Sequence, residues 1–261
     1  MDGIRTERRG AVLELTIDRP KANAIDSATS KAMGDAFVEF RDDPDLRVAI
    51  LTGAGERFFS AGWDLKAYVS GDPGEPEDFG IGGLGGITEL FDLDKPVIAA
   101  VNGYAAGGGF EMVLACDMVV AVPEARFSLP EARLGFVADS GGIFRLPRRI
   151  PRPLAMEMLL TGGPIDGVTA ERWGLVNRLA ERGELLGAAR ELAERVEAAA
   201  PLATRAVKAT LAATEGLTVE QGFEAIRSGR VPAYDRAVGS EDAEEGPRAF
   251  AEGRDPEWRG R

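Results

Sequence analysis

The chain has 261 residues and a formal net charge of −12, a charge that disfavours a nucleic-acid partner or an anionic membrane surface. It contains no histidine and one cysteine, which excludes Ser-His-Asp and Cys-His catalysis and every zinc site that needs histidine or several thiolates, so acid–base chemistry must use Asp, Glu, Lys or Tyr. The sequence has no apolar signal region, no bilayer-length apolar run and no possible internal disulfide, so we expect a cytoplasmic protein without a bound metal.

Short strands, turns and helices alternate in the first 150 residues. Asp26 or Ser27 can cap a helix whose apolar stripe carries Met33, Phe37 and Phe40. Residues 70–86 are rich in glycine, proline and acids without an apolar period, which predicts a mobile loop. The other predicted elements are strands at residues 11–17, 47–53 and 95–103, a helix that begins near residue 110, and short strands at 118–122 and 125–129.

Helical patterns dominate after about residue 150, and prolines separate them. They cover residues 154–160, 185–199, 202–213 and 219–228. The sequence therefore predicts an α/β fold class, with stacked sheet layers and helices outside them, followed by a helical region.

Two glutamates lie in unusually apolar stretches of the sequence. Glu111 follows three glycines and Phe110 at a predicted helix start, and Glu131 follows a strand and Pro130. Most glutamates are solvated, so we expect these two to be at least partly buried, which raises the pKa of a carboxyl and lets it exchange a proton near neutral pH. The alternative is a pair of structural carboxylates held in ion pairs.

The glycine triplet at residues 107–109 needs an explanation of its own. Glycine allows a ligand to approach the backbone closely, and the first N–H groups of a helix lack intrahelical partners. The segment from Ser60 to Leu65 has a similar form, with a strand and small residues before a helix start. Two such loops can direct two N–H donors at one oxygen, which is an oxyanion hole. The competing interpretation is tight packing without chemistry.

Several segments, taken together, resemble a known family. They are, in chain order, RPKANAID, ERFFSAGWDLK, KPVIAAVNGYAAGGGFEMVLACD and FSLPEARLGFVADSGGIFRLP, and they resemble the enoyl-CoA hydratase/isomerase (crotonase) family over nearly the whole chain. The resemblance implies a crotonase-type spiral of ββα turns in residues 1–200 that holds the acyl-CoA site, and a C-terminal helical region in residues 201–261 that forms a homotrimer or hexamer. It also implies no separate cofactor, because CoA enters as part of the substrate thioester.

The site residues that the resemblance implies fall into three groups. The backbone N–H groups of Trp63 and Gly108 match the oxyanion donors, and Glu111 and Glu131 match the two catalytic glutamates of the hydratases. Gly253 stands where many members have a lysine, which makes Arg254 the candidate for that phosphate contact. The implied substrate contacts are Lys21, Ala22 and Ala24 in the adenine-binding segment, Ala61, Asp64, Leu65 and Lys66 near the thioester arm, and Phe250 in a C-terminal element that packs near CoA.

Asp139 leaves a second class of function open. It occupies a loop where some isomerases of the family place an acid and many simple hydratases have glycine. An isomerase would move a double bond through the same enolate, and a third class, an acyl-CoA-binding scaffold, would need no acid or base. Because both glutamates are retained, hydratase chemistry is favoured over these two alternatives.

Further segments, among them IRSGR, SEDAEEGP and RDPEWRGR, are similar to one hydro-lyase of the family. That enzyme reversibly dehydrates an acyl-CoA whose acyl group ends in a trimethylammonium group. A quaternary ammonium donates no hydrogen bond, so its site should use aromatic faces, a buried carboxylate, or both. Trp63, Tyr68 and Asp139 are the candidates. The alternatives are ordinary packing for the aromatic residues and loop capping for Asp139.

Overall fold

A computed structural model describes residues 3–70 and 78–261 of the chain. The chain divides into two compact units, Met1–Leu93 with Val97–Glu191 and Asp94–Pro96 with Leu192–Arg261. The sequence-based boundary at residue 200 stays a prediction. Within the described ranges, no helix is long and apolar enough to cross a bilayer.

The strands and helices of the described residues have the following bounds. The strands are β1 (Ile4–Arg9), β2 (Val12–Ile17), β3 (Ala24–Ile25), β4 (Val48–Gly53), β5 (Phe58–Ser60), β6 (Gly62–Trp63), β7 (Val97–Val101), β8 (Tyr104–Ala106), β9 (Met118–Ala121), β10 (Arg126–Ser128), β11 (Ile165–Asp166) and β12 (Arg178–Leu179). The helices are α1 (Ser27–Asp42), α2 (Leu65–Ser70), α3 (Gly108–Ala115), α4 (Glu131–Leu134), α5 (Gly142–Arg149), α6 (Arg152–Thr161), α7 (Gly167–Arg172), α8 (Leu185–Glu197), α9 (Pro201–Thr214), α10 (Val219–Arg227), α11 (Pro232–Val238) and α12 (Glu241–Glu252).

The first unit is built on a mixed sheet in the order β1-β2-β4-β7-β9-β12. Strand β1 pairs with β2 antiparallel, and the strands from β2 to β12 pair in parallel. Every residue of β4 and β7 is buried. This fits their sequences, VAILTG and VIAAV, because a central parallel strand is covered on both faces and needs no polar alternation.

The turns that begin with β7 and β9 each place one strand in each of two sheets and then add a helix. Strands β7 and β9 are neighbours in the large sheet, and β8 and β10 are parallel neighbours in a second sheet of order β11-β10-β8-β5. Helix α3 follows β8, and α4 follows β10. The predicted α/β spiral of ββα turns is therefore confirmed, with helices dominating the C-terminal part of the chain.

Helix α1 has the predicted cap and apolar stripe. The Asp26 side chain accepts a hydrogen bond from Thr29 N, which satisfies a first-turn donor. Met33, Phe37 and Phe40, at helical spacing, are fully buried.

The loop predicted for residues 70–86 is wrong at its end, residues 84–86. Residues 71–77 lie outside the described residues. Leu84 begins a 3-10 turn, Leu84–Gly86, whose three residues are buried. Ser30 on α1 donates its hydroxyl to Gly83 O at 3.0 Å and accepts from Gly85 N at 2.9 Å. The glycines allow the backbone to lie directly against α1, so the lack of an apolar period reflects close packing rather than a free loop.

Candidate active site

The glycine triplet begins helix α3. Gly107 is its N-terminal cap residue with φ +55° and ψ −129°, a backbone conformation that favours glycine. Its N–H donates to Ser128 O at 2.9 Å, and its carbonyl accepts from Glu111 N at 3.0 Å. The end of β10 and the first turn of α3 are thereby held together, with Glu111 in the first helical turn.

The two glycine-containing loops meet, as predicted. A Cβ on Gly62 would lie 2.6 Å from Gly108 N, and a Cβ on Gly108 would lie 3.4 Å from Trp63 N. A Cβ on Gly108 would also clash with the end of the Leu84 side chain. Backbone N–H groups of two separate loops therefore lie side by side at the start of α3, and side chains at these glycines would force them apart.

The segment at residues 61–66 is fixed to the N-terminal part of the chain. Strands β3 and β6 pair in parallel, with Ala24 opposite Gly62, and Ala61 N donates to Ala22 O at 2.9 Å. Asp64 accepts from Arg19 at 2.6 Å, and this hydrogen bond is the main reason that the pKa of its carboxyl is lowered. The Asp64 carboxylate thus connects this segment to Arg19.

The predicted adenine-binding segment is held by a buried asparagine. Asn23 has φ +51°, a conformation that asparagine tolerates better than most residues. Its side chain accepts from Arg19 N at 3.1 Å and donates to Ala54 O at 3.0 Å and Phe58 O at 3.1 Å. Lys21 is exposed beside this anchor, so its side chain is available to a ligand.

Glu111 is buried, with 3% of its surface exposed. Its Oε1 accepts a hydrogen bond from Gly142 N at 2.9 Å. The pKa of Glu111 is raised to about 8, mainly by burial and also by the negative charges of Glu131 and Asp139, while the Gly142 hydrogen bond and the charge of Arg145 act in the opposite direction. At neutral pH Glu111 therefore carries a proton that it can donate.

Glu131 lies against the same glycine triplet. A Cβ on Gly107 would stand 2.9 Å from Glu131 Oε1. Burial raises the pKa of Glu131, and the charge of Asp139 adds to the rise. Its Oε2 is buried and accepts no hydrogen bond from any residue that the structure describes. Such an orphaned carboxylate oxygen is costly in a purely structural role, because buried polar groups normally have partners.

Glu14 shows what a buried structural carboxylate looks like in the same molecule. It is 7% exposed, and Arg190 contacts it with two hydrogen bonds of 2.6 and 2.8 Å. The hydrogen bond from Arg190 is the main reason that the pKa of Glu14 is lowered. Glu111 and Glu131 differ from Glu14 in having a raised pKa, which argues against the ion-pair alternative for both.

Comparison with known proteins gives the family of this chain. The family model for enoyl-CoA hydratase/isomerase matches residues 7–261. The chain belongs to the enoyl-CoA hydratase/isomerase family. Proteins similar to it include the carnitinyl-CoA dehydratase of Salmonella enteritidis, 56% identical over 260 residues, which span 100% of this chain and 99% of that protein.

Solved structures give the same family. An enoyl-CoA hydratase from Mycobacterium tuberculosis H37Rv is similar with a TM-score of 0.90 and 43% identity, covering 100% of both chains. A carnitinyl-CoA hydratase from Mycobacterium avium is similar with a TM-score of 0.76 and 42% identity, also covering 100% of both chains. The fold of this family member is therefore the one expected from the sequence.

Asp139 lies close enough to this family site for its charge to raise the pKa of both Glu111 and Glu131. Its side chain is exposed in the chain, so the expectation of a buried carboxylate at this position is wrong. The reason is local. Asp139 N donates to Val137 O at 2.8 Å, forming a turn that faces solvent before α5 begins.

Two residues that shape the environment of Glu111 were not predicted from the sequence. Gly142 supplies the N–H that Glu111 accepts, and the pair Gly141-Gly142 at the start of α5 was a usable signal, since it repeats the pattern of glycines at a helix start. Arg145 donates to Thr88 O at 2.6 Å and to Ser140 O at 3.4 Å. It holds the loop that carries Gly142, and nothing in the sequence singled it out.

The C-terminal residues of the prediction lie in the second compact unit. Phe250 on α12 is 89% exposed, and its contact with CoA stays a prediction. Gly253 is the C-terminal cap of α12 with φ +68°. Arg254 pairs with Glu245 and Glu252, each at 2.6 Å. Its guanidinium is thus already engaged, which weakens it as the replacement for a phosphate-binding lysine.

Proposed function

We propose that this protein catalyses the reversible dehydration of L-carnitinyl-CoA to crotonobetainyl-CoA. The observation that carries the proposal is the pair of carboxyls, buried Glu111 and half-buried Glu131, with raised pKa beside two adjacent backbone N–H groups. The acyl group is proposed from the full-length relatives named carnitinyl-CoA dehydratase, at 56% identity.

The chemistry requires a base, an acid and an oxyanion site. Glu131 removes the proton on Cα, and the electron pair moves into the thioester, so that negative charge develops on the carbonyl oxygen. The N–H groups of Trp63 and Gly108 donate to this oxygen as the oxyanion hole, an effect worth about 3–4 kcal/mol per donor. When the enolate collapses, the Cβ–O bond breaks and Glu111 gives its proton to the departing hydroxyl, which leaves as water. Hydration is the reverse.

Other residues bind the different parts of the acyl-CoA. In the proposed assignment Lys21, Ala22 and Ala24 contact the adenine end, while Phe250 packs near CoA. Residues Ala61, Asp64, Leu65 and Lys66 position the thioester arm. CoA arrives as part of the substrate, and we propose no other cofactor. We further propose a cytoplasmic homotrimer, or a hexamer made of two trimers, with the C-terminal helices as the assembly region.

The test is a panel of 2-enoyl-CoA thioesters, with crotonobetainyl-CoA and crotonyl-CoA as the central pair, assayed in heavy water. Hydration adds the mass of water and deuterium at Cα, double-bond migration adds deuterium alone, and binding without chemistry changes no mass. We expect hydration, faster with crotonobetainyl-CoA. Deuterium exchange without hydration would assign the enzyme to the isomerases, and faster hydration of crotonyl-CoA would make it a general enoyl-CoA hydratase.

The raised pKa of Glu111 predicts the pH dependence of dehydration. Dehydration needs Glu111 protonated and Glu131 ionised, so kcat/KM for L-carnitinyl-CoA should fall as the pH rises through about 8, where Glu111 loses its proton. On the acid side, the rate should fall as Glu131 becomes protonated. This limb should lie above the ordinary glutamate pKa, because the pKa of Glu131 is also raised. Initial rates across the pH range measure both limbs. A rate that stays level well above pH 8 would remove Glu111 as the acid.

Asp139→Asn should weaken the charged substrate selectively. Because Asp139 is exposed, solvent screens its attraction to the trimethylammonium, and we expect kcat/KM for crotonobetainyl-CoA to fall about 10-fold, with a smaller change for crotonyl-CoA. The same variant should lower the pKa of Glu111 and move the basic limb to lower pH. Equal losses with both substrates would assign Asp139 to the chemistry, and no change would leave it a loop residue.

A further inference from the structure

Three aromatic rings form a cluster beside the predicted oxyanion site. The ring centroids of Trp63 and Tyr68 are 4.4 Å apart with planes tilted by 55°, and those of Trp63 and Phe136 are 5.6 Å apart in an edge-on arrangement at 78°. We call these three residues the aromatic trio. Trp63 and Tyr68 are candidates from the sequence, and Phe136 joins them only in the folded chain.

The aromatic trio connects the two halves of the catalytic machinery. Trp63 belongs to the segment whose backbone N lies beside Gly108. Phe136 belongs to the other half, because its N–H donates to the carbonyl of Glu131 at 3.0 Å. The rings of the trio therefore span from the proposed oxyanion donors to the segment of the proposed base.

Ordinary core packing does not account for these rings. Tyr68 is 48% exposed and Phe136 41%, whereas aromatic residues of the core such as Phe110 and Phe127 are fully buried. The neighbouring Val137 is 59% exposed. A half-exposed aromatic face beside a catalytic pair is suited to an apolar or cationic part of a ligand.

The charges around the aromatic trio favour a cation. Asp139, three residues after Phe136, is the nearby acid whose charge both glutamates experience. Two basic groups near Phe136 are directed at carbonyls: Arg133 donates to Thr161 O, and Arg145 donates to Thr88 O at 2.6 Å. Lys66, between Trp63 and Tyr68, is exposed. The aromatic trio and the Asp139 carboxylate thus both lie close to the segments that carry the catalytic pair.

The short acyl chain of the substrate limits the distance between its cation and the oxyanion site. In crotonobetainyl-CoA four bonds separate the thioester carbon from the ammonium nitrogen, so the two atoms lie at most about 5 Å apart. A carbonyl oxygen held by the N–H of Trp63 therefore keeps the trimethylammonium within reach of groups that surround Trp63. The residues around Trp63 are therefore candidates for the binding site of the cation.

We infer that the aromatic trio, Trp63, Tyr68 and Phe136, receives the quaternary ammonium of the substrate on its ring faces, with Asp139 as the counter-charge at the rim. The inference rests on the proposed function and deepens it, because it names the groups that select a charged acyl chain. Phe136 becomes a specificity-determining residue of the site.

The experiment compares crotonobetainyl-CoA with 5,5-dimethylhex-2-enoyl-CoA, a neutral isostere in which carbon replaces the ammonium nitrogen. The measured quantity is the ratio of kcat/KM for the charged over the neutral thioester. We expect a ratio of at least about 10 for the unmodified enzyme, a 5- to 20-fold drop of that ratio in Phe136→Leu and in Tyr68→Leu, and a preserved ratio in Phe136→Tyr, which keeps an aromatic face. Phe144→Leu, which changes an exposed phenylalanine of α5, is the matched control and should leave the ratio intact.

The outcomes separate this inference from the proposed function. An unmodified enzyme that hydrates crotonobetainyl-CoA well but has the same ratio in Phe136→Leu and Tyr68→Leu overturns the inference alone. An enzyme that hydrates neither thioester overturns the proposed function. A ratio that falls equally in Phe136→Leu and Phe136→Tyr shows dependence on shape rather than on the ring face, and also overturns the inference. Because a ratio of two substrates on one preparation is measured, partial unfolding of a variant cancels.

Discussion

Glu111→Gln and Glu131→Gln each lower turnover by at least ~10²-fold while the fold persists, which is the usual scale for a lost general acid or base. Glutamine keeps the size and the hydrogen-bonding oxygen of each side chain but has no proton to exchange. For Glu111 it also keeps an acceptor for Gly142 N, now 2.9 Å from Oε1. The measurement is kcat in both reaction directions, with the melting temperature as the check on folding.

The free energy of unfolding is a second measurement, and in Glu111→Gln we expect it to rise while turnover falls. The pKa of Glu111 rises from an ordinary value of 4.5 to about 8 on folding, so between these values the native state binds a proton that the unfolded state has lost. The free energy of unfolding therefore falls as the pH rises through this window. A glutamine does not titrate, and we expect Glu111→Gln to exceed the unmodified protein in stability by on the order of 2–4 kcal/mol at pH 8 and by little at pH 4.5.

A variant that is less active and more stable is hard to explain by misfolding. Glu14→Gln serves as the matched comparison, since Glu14 is a buried carboxylate held by Arg190 with a lowered pKa. It should lose stability at neutral pH and keep its turnover per folded molecule. Near-normal turnover in either Glu111→Gln or Glu131→Gln would refute the two-glutamate mechanism.

The second large effect is expected at Gly108. Gly108→Val and Gly108→Pro should each reduce kcat/KM by about 10²–10³-fold, because valine displaces the oxyanion segment and proline removes the N–H donor. The structure adds a complication, since any Cβ at this position clashes with Leu84. Either single variant could therefore lose activity through packing alone.

A pair of double variants separates the donor from the packing. Leu84→Ala removes the clashing side chain, and it can be combined with Gly108→Ala, which keeps the N–H, or with Gly108→Pro, which does not. We expect the alanine double variant to be at least ~10²-fold more active than the proline one. Similar activities would mean that Gly108 N–H does not stabilise the transition state. Trp63→Phe, in which the backbone donor is unchanged, should keep most activity on crotonyl-CoA.

Sequence patterns that depend on near neighbours predicted their structures well. The cap at Asp26 and the stripe of Met33, Phe37 and Phe40 follow from helical spacing. The glycine triplet before Glu111 indicated a helix start that faces a ligand, and the helix begins at Gly108. The error at residues 70–86 has a physical cause. A glycine-rich segment whose backbone packs directly on α1 has the same composition as a free loop. Only the presence of the partner segment distinguishes the two cases.

What the sequence by itself determined is the set of chemical groups and their local placement: two glutamates, two glycine-containing loops, an acid at Asp139, and no histidine. Only the tertiary structure decided which groups meet. Parallel pairing of β8 with β10 brings Glu131 against Gly107, and the loop before α5 brings Gly142 N to Glu111. The raised pKa of Glu111, the exposure of Asp139 and the contact of Phe136 with Trp63 depend on burial and distance between segments remote in the sequence. Periodicity and turn chemistry act over a few residues, whereas burial is set by whatever the rest of the chain packs around a group.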